Sequence, residues 1–379
     1  MLFSQGFRPF FLGAGFWGGV SVLLKVAVMR DHISLPTAFT PLAWHSHEMI
    51  FGFAAAAVAG FMLTAIPNWT GRMPLQGLPL IILFAVWFLG RVVMAISALT
   101  GPGIAAVIDL SFLGALLAVV MREIVSGRNW RNLPMTVALA VLLVANALTH
   151  LGAAGMPSVG LAGQRLGIAT LIILISLVGG RIIPSFTRNW LAKRAEPQMP
   201  ASFGRIDGLC LVLTFAALGL WVASPESWIF GAAALAAALA NVVRLVRWRG
   251  HRTLSQPLLW SLHLGFAWIP VGLGLLGVAV FWPTAIPASA GLHALTVGAI
   301  GSMTLAVMTR ATLGHSARQL TADSWTLAIY ILIAVAAISR VAAPIALGLY
   351  VPLLLTSGLL WSGAFILFTV HYGRMLLNP

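Results

Sequence analysis

Residues 44–67 read WHSHEMIFGFAAAAVAGFMLTAIP, and from Met49 to Ile66 the run carries no charged side chain. A helix needs roughly 17–25 such residues to cross a bilayer. The stretch is therefore a membrane span, and its polar opening, His45, Ser46, His47 and Glu48, sits where removing ionisable groups from water is costly.

The whole chain repeats that reading. Of its 379 residues 60% are hydrophobic and only 8% charged, with a mean hydropathy of +0.98. Too little polar surface exists to cover a water-soluble globule. The first apolar segment, FRPFFLGAGFWGGVSVLLKVAVM, lacks a basic leader and a small-residue cleavage site, so it reads as a retained span and not as a signal peptide. Apolar stretches follow at 9–29, 42–66, 77–98, 103–124, 134–154, 165–186, 205–223, 227–247, 258–281, 286–308, 325–345 and 350–371. These predict an all-α bundle of about 12 spanning helices, a single integral membrane domain over residues 1–379. A β-barrel would show short alternating segments instead of continuous runs.

Charge orients the bundle. With both termini on the cytoplasmic side, most basic residues, among them Arg72, Arg122, Arg131, Arg188, Arg247 and Arg318, fall at cytoplasmic ends. Lys25, Arg30, Arg91, Arg165 and Arg340 are the exceptions. The net charge of +14 is explained by this bias and by anionic lipid, so nucleic acid is not an expected partner. Cys210 is the lone cysteine. Disulfides, thiolate zinc or iron–sulfur sites and covalent haem are excluded, and any metal must use His, Met or carboxylate.

Depth sorts the histidines. On this topology His45, His47, His150 and His293 lie toward the periplasmic side, whereas His251, His263, His315 and His371 lie at the cytoplasmic ends. Taken singly, a histidine at a helix end is an ordinary wet interfacial side chain. His45, His47, His263 and His293 adjoin or enter hydrocarbon, which favours a role. His45 and His47 are separated by about 200° of helical turn, so a regular helix aims them at different neighbours. Glu48, three residues after His45, shares its face and suits the hydrogen bond that orients a metal-binding imidazole; a carboxylate stabilised by the helix dipole is the plainer account. Met303 and Met308 read as packing.

An internal echo links two spans: His47 is followed five residues on by Gly52, and His293 by Gly298. Ile66-Pro67 and Ile183-Pro184 also recur, each trailed by Trp, Thr and Arg. The pattern hints at three four-helix units.

GFRPFFLGA, WHSHEMIFGFAAAAVAGFMLTAIPNWTGR, GGRIIPSFTRNWL, SLHLGFAWIPVGLGLLG and GLHALTVGAIGSMTLAVMTRATLGHSAR together resemble the NnrS family of bacterial membrane proteins across the whole chain. The resemblance implies a multi-pass inner-membrane protein carrying haem b and copper, in the bacterial response to nitric oxide alongside denitrification or nitrosative-stress defence. By analogy with haem–copper oxidases and nitric oxide reductases, which also have about twelve spans in three arcs, it implies haem ligands on the second and tenth spans. Those are His45 or His47 and His293. The sixth and seventh spans hold no histidine, so the non-haem metal site of those enzymes is missing.

On that basis haem binding falls to His45, His47 and His293, with Glu48 supporting a ligand and Arg91, Arg165 and Arg340 available to haem propionates. Copper falls to His263 and His315, or to whichever of His45 and His47 haem leaves. No residue is singled out as catalytic. The expected activity is reduction or detoxification of nitric oxide at the haem, with electrons from quinol or an external donor. A haem, copper or metal–nitrosyl carrier, with Arg91 and Asp109 lining its path, and a nitric oxide sensor are the alternatives.

Overall fold

A computed structural model describes residues 2–316 and 318–377. Among them are twelve helices long and apolar enough to cross a membrane. They are α1 (Phe7–Met29), α2 (Pro41–Thr70), α3 (Leu78–Ala95), α4 (Pro102–Ser126), α5 (Trp130–Ala153), α6 (Pro157–Ala192), α7 (Arg205–Ala223), α8 (Trp228–Arg247), α9 (Pro257–Phe281), α10 (Ala288–His315), α11 (Ser324–Ala342) and α12 (Leu347–Leu377). No strand occurs among the described residues, as expected where every backbone polar group must be satisfied within its own segment. Several helices outrun their apolar windows. α6 continues past Pro184 to Ala192 because the backbone ladder carries on after the hydrophobic residues end.

Two helices depart from regular α geometry in the same way. α2 is α-helical over Pro41–His47, π-helical over Glu48–Ala54 and α-helical again over Ala55–Thr70. α10 is α-helical over Ala288–His293, π-helical over Ala294–Gly301 and α-helical over Ser302–His315. Each wide segment begins directly after a histidine, and the His-to-Gly echo in the sequence marks both. Wider turns of this kind are rare and gather at functional sites.

The helices gather into two units: residues 1–170 with 365–379, and residues 171–364. In the first, Phe10 of α1 meets Phe84 and Trp87 of α3 and Phe112 of α4, with ring centroids 5.6, 6.5 and 5.7 Å apart. Arg8 donates to the carbonyls of Met375 and Leu376 at 3.1 and 3.3 Å. Gly152 of α5 and Gly160 of α6 face each other, and a Cβ built on Gly160 would lie 2.7 Å from the Gly152 Cα. Small residues let helix backbones come this close, which is how spans associate when lipid removes the hydrophobic incentive.

In the second unit, Arg244 of α8 donates to Asp207 of α7 at 3.2 Å and to the carbonyl of Ser176 of α6 at 3.2 Å. Its guanidinium fills the space left by the missing side chain of Gly180. The charge is buried with a partner, the form in which ions are tolerated away from water.

Candidate metal centre

The first unit builds a polar cluster inside its apolar packing. Thr40 caps α2, accepting from the Ala43 amide at 3.3 Å, and Pro41 opens the helix. Two turns on, at the change to π geometry, His47 and Glu48 are both fully buried. His47 Nδ1 lies 3.0 Å from Glu48 Oε1. Nε2 of the same ring lies 3.1 Å from Asp109 Oδ2 on α4 and 2.9 Å from Asn146 Oδ1 on α5. Asn146 Nδ2 donates to Asp109 Oδ2 at 2.7 Å, and His150, one turn further along α5, approaches the same oxygen with Nε2 at 3.1 Å.

Arg91 of α3 ties the two carboxylates together. Its Nη1 donates to both oxygens of Glu48 at 2.8 Å, and its Nη2 donates to Asp109 Oδ1. Trp17 of α1 donates to Glu48 Oε2 at 2.7 Å. Arg91, Asp109 and Asn146 are buried, and His150 is 9% exposed, the most open member of the group. The cluster fits because Gly52 stands inside the π segment. A Cβ there would lie 2.6 Å from Arg91 Nη1 and 2.9 Å from both Glu48 Oε2 and Trp17 Nε1. Phe39, in the segment before α2, packs tilted against His47 and edge-on to His150, with ring centroids 5.5 Å from both, and covers the group.

His47, Asp109 and His150 each offer a ligand atom, and these atoms lie within 4.8 Å of one another. No other group of three or more His, Cys, Asp or Glu side chains among the described residues meets that standard.

The sequence candidates are thus partly assembled. His47, Glu48 and Arg91 meet, while His45 is partly exposed on α2. Glu48 holds His47 and not His45: the helix widens at Glu48, and both neighbouring side chains turn into the buried face. Arg165 is partly exposed on α6 of the first unit. In the second unit, His293 donates from Nδ1 to the carbonyl of Ser289 at 2.6 Å. There too His263 is buried, with Nε2 2.9 Å from Thr187 Oγ1, and His315 is exposed at the end of α10. Arg340 carries a buried Nη1 without a hydrogen-bond partner.

Asn146 and Trp17 had no part in the sequence reading, and His150 entered it only as an interfacial side chain. The signal was depth. Arg91 lies one turn from the end of α3, Asp109 two turns into α4, and Asn146 and His150 in the last two turns of α5, all level with His47 when counted from the same membrane side.

The model of the NnrS protein family matches residues 1–379. The chain belongs to the NnrS family. No curated protein matches it at a significant level. Membership in the NnrS family points to a membrane protein of the nitric oxide response, and this member brings a His/Asp triad together within its first unit with ligand atoms close enough to share a metal ion.

Proposed function

We propose that this NnrS-family protein binds nitric oxide within the membrane at metal centres held by histidines and reduces or otherwise detoxifies it. The observation that carries the reading is the buried His47–Asp109–His150 group at the start of a π-helical segment. Ionisable residues at that depth are expensive and characteristically functional. Nitric oxide is small, neutral and soluble in hydrocarbon, so it needs no polar channel to reach them.

His293 fits the role of an axial haem ligand. Its Nδ1 hydrogen bond to Ser289 leaves the lone pair on Nε2, the tautomer that iron requires. A bound b-type haem would supply an iron able to take nitric oxide. Arg340 lies on α11, which packs against the first turns of α10, and its buried Nη1 suits a propionate. His47 fits a small ion better than haem, because its Nε2 faces further donor atoms, Asp109 Oδ2 at 3.1 Å and Asn146 Oδ1 at 2.9 Å; we assign it to a non-haem ion, with copper the family's candidate. Electrons would come from quinol or an external donor. Turnover is favoured over carriage because the cluster is sealed, with His47, Glu48, Arg91 and Asp109 all at 1% exposure or less.

The test is nitric oxide consumption by the purified protein given a reductant, with the haem spectrum recorded in parallel. His293→Ala is expected to lose haem or convert its spectrum to a five-coordinate form and to lose consumption. A normal spectrum in a folded His293→Ala protein removes the haem assignment, and a loaded protein that consumes no nitric oxide removes turnover.

A further inference from the structure

We propose that His47, Asp109 and His150 hold one non-haem transition-metal ion, with Glu48 and Arg91 positioning two of its ligands. Asp109 Oδ2 lies 3.1 Å from Nε2 of each imidazole. Ligands bound at about 2.0–2.2 Å in a tetrahedron stand roughly 3.3–3.6 Å apart. The three donor atoms, all within 4.8 Å of one another, thus stand close enough to share a single small ion. Asn146 Oδ1, 2.9 Å from His47 Nε2, sets a fourth donor atom beside the same point.

The surroundings have the features of a built metal site. A ligating histidine normally gives its other ring nitrogen to a carboxylate or carbonyl, which fixes tautomer and orientation. Glu48 Oε1 does this for His47 Nδ1 at 3.0 Å. Arg91 anchors the far oxygen of Asp109 and so aims Oδ2 at the imidazoles. Phe39 and Phe51, with ring centroids 5.5 and 5.2 Å from His47, wall the site from water.

Charge gives the second argument. Glu48 and Asp109 bring two negative charges and Arg91 one positive, leaving one negative charge buried in a membrane span. Such a charge must be compensated. A divalent ion held between the two imidazoles and Asp109 would supply that compensation. Two imidazoles and one carboxylate suit copper, zinc or ferrous iron, whereas calcium and magnesium prefer oxygen alone. Among divalent ions of the first row such a set binds copper most tightly.

The inference deepens the functional reading by naming the ion class and ligands at the same site. Its test measures metal, so a protein that binds the ion yet ignores nitric oxide overturns the functional reading alone. Full-length protein in detergent is titrated with Cu(II) and, separately, with Co(II), whose visible bands report its ligands. One equivalent per chain is expected for the natural protein and for His251→Ala, a histidine exposed outside the site. His150→Ala and Asp109→Asn should bind at least about tenfold more weakly, and Glu48→Gln about 10–100-fold more weakly. His150→Cys decides the matter even where the other variants fold badly: with Co(II) it should gain a thiolate-to-metal charge-transfer band absent from the natural protein. No stoichiometric binding by the natural protein, undiminished binding by folded His150→Ala, or no such band in His150→Cys overturns the proposal.

Discussion

Glu48 touches three side chains: His47 and Arg91 at Oε1, and Arg91 and Trp17 at Oε2. Removing one member of such a buried set leaves the others charged and unpaired, at a cost of about 3–5 kcal/mol. Arg91→Met is therefore expected to lower the unfolding midpoint in detergent sharply, and Glu48→Gln combined with Arg91→Met to recover part of the loss because one orphaned charge disappears. Equal midpoints for Arg91→Met and the double variant would contradict this coupling. Gly52→Ala should act on the same set from the other side, since its methyl enters the space of the Arg91 guanidinium. At this scale the sequence reading paired Glu48 with His45, and the structure pairs it with His47 instead, because the helix widens at Glu48 and turns both neighbouring side chains into the buried face.

For the helices, composition was enough to count and place twelve spans, because hydropathy reports transfer from water directly. The π segments are another matter. Their trace in the sequence is the His-to-Gly interval repeated in α2 and α10, legible as an echo and not as a geometry. Asp109 on α4 entered the sequence reading only as the lining of a carrier path, and Asn146 on α5 was missed because it is a single amide in a largely apolar run. The contact between α5 and α6 gives an element-scale prediction. Gly160→Val puts a branched side chain where even a Cβ meets the Gly152 backbone, and over-packing of this kind costs about 1–3 kcal/mol. Gly114→Ala, which meets open space, serves as the control. The thermal midpoint should fall in the first variant and hold in the second; an unchanged midpoint in Gly160→Val would mean the two helices are not held by this contact.

Over the whole molecule, the side on which the basic residues gather assigns both termini to the cytoplasm, our proposal for its orientation in the bacterial inner membrane. A phosphatase fused after the last helix should be inactive and a fluorescent protein at the same place bright; an active phosphatase reverses the orientation and puts the His47 cluster near the opposite face.

The clasp between Arg8 and the carbonyls of Met375 and Leu376, with Gly15 of α1 seated against Phe368 and Thr369 of α12, joins the two ends of the chain in one unit. Because synthesis runs from the N-terminus, the first helix must wait in the bilayer while some 330 further residues are made before its partner arrives. Until then Arg8 has no Met375 or Leu376 carbonyl to grip and Gly15 lacks the Phe368 and Thr369 side chains it is seated against. The unit that holds the His47 cluster is begun by α1 and closed by α12, so its completion requires every span between them to have been translated and inserted.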